Sequence, residues 1–135
     1  MPAMADIVLK NGAATPVDKT FKAKSVVGTL AKWEQRDAGV PIGYIRLSLE
    51  TKDSPSTRRV KVSVSKPALE AVSGSSPTGF VPAPTLAYTM QASADFTMST
   101  RASSAEKADL LAYLTNALAD AIFKGAVVTD DEVIG

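Results

Sequence analysis

Apolar and polar residues alternate with a period of two along three segments of the chain. Over 45–50 the apolar set is Ile45, Leu47 and Leu49, with Arg46, Ser48 and Glu50 between them. Over 59–65 it is Val60, Val62 and Val64, set against Arg59, Lys61, Ser63 and Ser65. Over 90–97 Met90, Ala92, Ala94 and Phe96 alternate with Gln91, Ser93, Asp95 and Thr97. A side-chain period of two places each set on one face of a β-sheet. The turn-forming run Asp53-Ser54-Pro55-Ser56 joins the first two segments as a hairpin. Three further strands are predicted upstream, at 6–10, 17–27 and 30–36. The first ends in Asn11-Gly12 and the third in Asp37-Ala38-Gly39, both turn signals. A short strand is expected at 69–72, followed by an exposed loop at about 73–83 rich in Gly, Ser and Pro.

The pattern then changes period. Ser103 with Glu106 three residues later forms an S-x-x-E capping box. Leu110, Leu111, Leu114, Leu118, Ala121 and Ile122 follow on one helical face, and Gly125 is a natural stop. These signals predict a helix at about 104–124. Thr129 with Glu132 repeats the capping signature and predicts a second helix at about 130–135. The chain is thus read as one α+β domain over 1–135, with strands between about 5 and 99.

Such a sheet has an apolar face that must be covered. A helix of twenty residues is about 30 Å long, enough for part of a five- or six-stranded sheet. Two solutions remain open on pattern alone. Either the helix packs on its own sheet in a monomer, or two chains share one combined apolar face as a dimer.

Composition narrows the chemistry. With 45% hydrophobic and 21% charged residues in 135, the chain has the make-up of a folded domain. It has neither cysteine nor histidine, so disulfides, thiolate nucleophiles, histidine bases and most zinc sites are excluded. No metal and no cofactor is expected. No apolar run approaches a membrane span, and no signal peptide is recognisable; a soluble protein of the cytosol, or one released from it, is expected. The net charge of +1 conceals a division. Residues 1–66 carry twelve Lys or Arg against six Asp or Glu, and residues 67–135 carry three against eight. Such a division suits a surface that meets a polyanion, although simple scatter of charges also produces it.

The polar sheet face is the candidate binding surface. Arg46, Arg59 and Lys61 fall on neighbouring positions of one hairpin, among Ser48, Ser63, Gln91 and Ser93. Basic groups attract phosphates, and hydroxyls and amides bond riboses and base edges. Few aromatics share this face, which argues against a general single-strand binder that works by stacking. A carboxylate pair such as Glu50 with Asp95 is the best case for catalysis, but on an open sheet face nothing excludes water or raises a pKa. No enzyme is expected. Trp33, Phe96 and the helical leucines are read as packing residues.

The local sequences Ala31-Lys32-Trp33-Glu34, the run from Arg58 to Pro67, and Ala94-Asp95-Phe96-Thr97-Met98 resemble strands of the RNA-bacteriophage (levivirus) coat proteins. The resemblance extends over almost the whole chain and rests on strand patterns and spacings. It implies an N-terminal β-hairpin, a five-stranded antiparallel sheet and two C-terminal helices, in an intertwined homodimer whose helices cross the partner's sheet. It further implies self-assembly into an icosahedral T=3 capsid, with the loop at about 73–83 varying between axes. The inner sheet face would hold an RNA hairpin of the single-stranded genome and repress replicase translation. By strand position the RNA-binding residues are Arg46, Ser48 and Glu50, then Arg59, Lys61 and Ser63, then Gln91, Ser93 and Asp95. The protein would be found in the virion, assembled in the bacterial host cytoplasm. One departure stands out: members carry a base-stacking tyrosine on the last strand where this chain has Gln91, and Tyr88 is out of phase with that face. A non-viral dimeric β-sheet binding module is the alternative.

Overall fold

The computed structural model describes residues 3–70, 85–130, 132 and 134. Six strands form one sheet in the order of the chain: β1 (Ile7–Lys10), β2 (Asp18–Val27), β3 (Leu30–Gln35), β4 (Ile45–Asp53), β5 (Thr57–Leu69) and β6 (Leu86–Ser99). Neighbours in sequence are neighbours in space, which is the arrangement that short turns favour. Two helices follow, α1 (Ser104–Ala119) and α2 (Ala121–Val128). The chain divides into two compact units. One comprises residues 1–54 and 58–97, hence most of the sheet; the other comprises 55–57 and 98–135.

The connections follow from particular residues. Asn11 closes the first hairpin with its side chain, its Oδ1 accepting from the amides of Ala13 and Val17 at 3.3 and 3.0 Å. The turn is therefore wider than the two-residue Asn-Gly hairpin that the sequence suggests. Between β2 and β3, Gly28 adopts φ +60, so the chain can reverse within two residues at Val27↔Leu30. Between β3 and β4 a short 3-10 turn over Pro41–Gly43 leads into β4.

Alternation sets the registers. Trp33 stands opposite Leu47 and Ala23, and Leu47 opposite Val64. The apolar residues of four strands therefore share one face. Phe21, Trp33 and Leu47 are the buried centre of that face, with Ile7, Ala23, Ala31, Ile45, Leu49, Val62 and Val64 packed around them. Trp33 is fixed as well as buried, because its Nε1 donates to the Ala5 carbonyl at 2.8 Å. This agrees with its reading as a packing residue.

Three features differ from the pattern-based expectation. The sheet has six strands where a hairpin plus five was expected, because β5 continues through Pro67 to Leu69. The last β4 partner of β5 is Ser65, opposite Arg46, so the missing N–H of Pro67 removes no bond to β4. Of the short strand expected at 69–72, Leu69 belongs to β5, Glu70 lies outside the strands, and residues 71 and 72 lie outside the described residues. The loop at about 73–83 lies outside them entirely.

The helix expected to reach 124 instead breaks at Asp120 with a bend of 59°. There the Asp120 carboxylate accepts from the Ile122 amide at 3.0 Å, so an aspartate that could have continued one helix caps the next. Gly125 consequently sits inside α2, where its carbonyl accepts from the backbone N–H and hydroxyl of Thr129 at 3.0 and 2.9 Å. Thr129 is a C-cap and opens no helix, and Asp130, Glu132 and Ile134 are not helical. The first capping residue is as expected: Ser103 Oγ accepts from the Glu106 amide at 3.2 Å.

No residue of either helix is buried. Leu110, Leu111, Leu118, Ile122, Phe123, Val127 and Val128 are all exposed in the single chain. Among the described residues no single helix is long and apolar enough to cross a membrane.

Gly43 offers a test of the packing. A Cβ there would lie 2.7 Å from the Ala38 Cβ and 3.0 Å from Leu69 Cδ1. The short Ala38 side chain has no torsion with which to move aside. Gly43→Ala is expected to destabilise the fold by about 1–3 kcal/mol, the usual effect of overpacking, measured as a lower urea midpoint at unchanged slope. An unchanged midpoint would contradict the close packing of this turn.

Candidate RNA interface

The polar face is built by the same registers that make the core. Across β4 and β5, Arg46 stands opposite Ser65, Ser48 opposite Ser63, Glu50 opposite Lys61 and Lys52 opposite Arg59. The Ser48 and Ser63 hydroxyls are hydrogen-bonded to each other. All nine residues expected from the sequence line two grooves. One, of about 410 Å³, is lined by Glu50, Lys52, Arg59, Lys61, Asp95 and Thr97. The other, of about 500 Å³, includes Arg46, Ser48, Lys61, Ser63, Gln91 and Ser93. Lys61 belongs to both.

The face extends beyond the residues singled out in the sequence. Lys32 on β3 stands opposite Ser48, and Glu34 opposite Arg46. Both were legible in principle: with Trp33 on the apolar face, its neighbours Lys32 and Glu34 must point the other way. Lys52 and Thr97 follow the same alternation.

Charge on this face is unevenly compensated. Lys52 lies 3.4 Å from Glu50, whereas the Arg58–Asp53 pair at 2.8 Å falls, by alternation, on the opposite face. Among the described residues, Lys32, Arg59 and Lys61 form no ion pair. These three cations lie on one face, Lys32 on β3 and Arg59 and Lys61 on β5 across the intervening β4, and are available to an anionic ligand.

Glu34 is the exception to the exposure of this face. It is 5% exposed, while its carboxylate is surrounded by Lys24 at 2.6 Å, Arg36 at 3.5 Å and Arg46 at 3.9 Å. The Lys24 hydrogen bond holds its pKa below the ordinary 4.5, against the opposing effect of burial, with added attraction from Lys24, Arg36 and Arg46. Asp6 is also lowered, first by the Ala23 amide that donates to it at 2.8 Å. Among the described residues no group of His, Cys, Asp or Glu is placed to hold a metal ion.

An open antiparallel sheet with a hydroxyl-rich, cationic face and two C-terminal helices defines the class of RNA-phage coat subunits. Residues 2–133 match the levivirus coat protein family, and the chain belongs to it. Solved structures agree. The virus-like particle of bacteriophage ESE058 shares 29% identity at a TM-score of 0.88, covering 98% of this chain and 100% of that one. That of bacteriophage NT-214 shares 27% at 0.86, with the same coverage. The bacteriophage GA capsid protein, at 17% identity and a TM-score of 0.74 over 95% of each chain, shares the fold. A comparison with curated proteins gave no match. The protein is therefore a structural capsid protein of the virion and not an enzyme, and the non-viral alternative falls away.

The buried carboxylate predicts an acid response. A group whose folded pKa is depressed stabilises the fold above its unfolded pKa and loses that contribution as pH falls through the folded value. Wild-type stability should therefore fall below about pH 4.5. Glu34→Gln should be less stable at pH 7 and show a shallower decline in acid, as read by urea midpoints across pH. Parallel pH profiles for the two proteins would contradict this role.

Proposed function

We infer that the chain acts as an intertwined homodimer that assembles into an icosahedral shell of T=3 type and holds single-stranded genomic RNA on the polar sheet face. The observation that carries the RNA reading is the row of cations without ion pairs, Lys32, Arg59 and Lys61, beside the serine and glutamine groups of the two grooves. Polyanion binding draws on such cations because neutralising a phosphate releases condensed counterions. Serine hydroxyls and the Gln91 amide supply the short-range bonds to riboses and base edges. Glu50 and Asp95 reduce the attraction locally and can accept from base amino groups. With Gln91 in place of a stacking tyrosine, recognition of an RNA hairpin, and any repression of replicase translation through it, rests on hydrogen bonds.

Dimerisation is supported by the helices. Seven large aliphatic or phenylalanine side chains of α1 and α2, together with Tyr113, are exposed in the single chain, and burying an apolar side chain of this size contributes about 1.5–3 kcal/mol. A second copy is the partner whose own apolar surface matches in kind. The particles of ESE058 and NT-214 support the shell, with assembly in the cytoplasm of the bacterial host.

The test is binding of a labelled single-stranded RNA hairpin to RNA-stripped protein across salt concentrations. Replacing both Arg59 and Lys61 with Ala should weaken binding and reduce the slope of log K against log salt by about two. An unchanged affinity and slope would remove these residues from the interface.

A further inference from the structure

We propose that Glu34 is a positioning residue that holds Lys24 and Arg46 as a preformed phosphate subsite at the β2–β4 edge of the polar face. The proposal rests on the RNA reading above and adds to it a subsite beside the second groove, with which it shares Arg46 and Ser48. A separate cleft of about 200 Å³ opens there, lined by Lys24, Lys32, Glu34, Arg46 and Ser48 together with Trp33 and Leu47.

Four observations carry it. First, β2 contains a bulge: Ala23 pairs with Trp33 but Ser25 pairs with Lys32, so Lys24 is the extra residue. Bulges re-aim side chains, and here the Lys24 ammonium reaches the Glu34 carboxylate at 2.6 Å, although Lys22 is the residue directly opposite Glu34. Second, Lys22 is engaged elsewhere, 3.5 Å from Asp6, so the bulge supplies the cation that the regular position does not. Third, Arg46 is tethered twice, by Glu34 at 3.9 Å and by the Pro41 carbonyl, to which its Nη2 donates at 3.3 Å. Fourth, the carboxylate is buried while the cations are not. The Glu34 side chain is 7% exposed, and those of Lys24 and Arg46 are 47% and 52% exposed.

The arithmetic of donors favours a phosphate. Lys24 has three N–H donors and spends one on Glu34; Arg46 has five and keeps several outward. Three cations, with Arg36 included, face one carboxylate, so the cluster remains net positive. Long side chains lose rotamer freedom on binding a ligand. Here that loss has already occurred in the free protein, because the buried carboxylate holds the cations in place. Lys32, without an ion pair, completes the rim.

Glu34→Gln distinguishes positioning from simple charge. Removing a negative group from a polyanion-binding face should raise affinity and steepen the salt slope if charge alone matters. Positioning predicts the reverse: affinity for a labelled single-stranded RNA hairpin falls roughly 3- to 10-fold, and the slope of log K against log salt falls by about one. A structural defect would reduce the active fraction without changing that slope. Since Glu34→Gln is also expected to weaken the fold, Lys24→Ala provides an independent arm, with the same loss expected and recovery in Lys24→Arg. Tighter binding by Glu34→Gln, or no effect of Lys24→Ala, would overturn the proposal. If those results came with the expected loss in the Arg59 and Lys61 double variant, the RNA reading would stand without this subsite. If the wild-type protein bound no RNA at all, both readings would fall together.

Discussion

Alternation along β3, β4 and β5 puts their apolar residues on one face, and that face has to be removed from water. Among the described residues only Phe21, Trp33 and Leu47 are buried hydrophobics, a small core for a chain with this much apolar surface. The helices make the shortage plainer, since none of their residues is buried and their leucines, Phe123 and C-terminal valines are exposed. Domains of this size depend on burying most of the surface their unfolded chains expose. The same pattern that forms the sheet thus leaves an apolar surface whose burial we assign to a second copy. In obligate dimers of that kind, folding and association are inseparable.

The opposite face follows from the same constraint. Every residue that alternation removes from the core is presented on the polar side, so core and interface are specified together. Arg46, Ser48 and Glu50 are on the polar face because Ile45, Leu47 and Leu49 are not. In the function proposed above, the subunit joins its partners through one surface and meets RNA with another. A two-faced sheet keeps these tasks on opposite sides. The division of charge between the two halves of the chain has a structural counterpart here, since Lys24, Lys32, Arg46, Arg59 and Lys61 all lie on β2 to β5.

Strand identity and the polar-face residues were legible because they depend on a period of two, which side-chain type reveals directly. The nine expected site residues lie on β4, β5 and β6 and line two grooves for that reason. Features that depend on a single backbone hydrogen bond were not legible. The bulge at Lys24 shifts the register by one residue, and nothing in Lys22-Ala23-Lys24-Ser25 distinguishes it from a regular alternation. The break at Asp120 turns on whether one carboxylate caps or continues a helix, a local competition that the leucine stripe does not reveal. Thr129 and Glu132 have the spacing of a capping box, yet Thr129 ends a helix with the hydroxyl that was expected to begin one. Glu34 was hidden for another reason: a glutamate at a polar strand position is ordinarily solvated, and only the convergence of three cations from β2, β4 and the end of β3 buries it.

The measurement that tests the central claim most directly is light scattering with absorbance at 260 and 280 nm on the purified protein, before and after disassembly. Megadalton particles with excess 260 nm absorbance, which disassemble to a two-chain species and no smaller folded unit, are predicted. A folded, nucleic-acid-free monomer that persists across salt, concentration and added RNA would show that one chain satisfies its own apolar face, and would contradict the account.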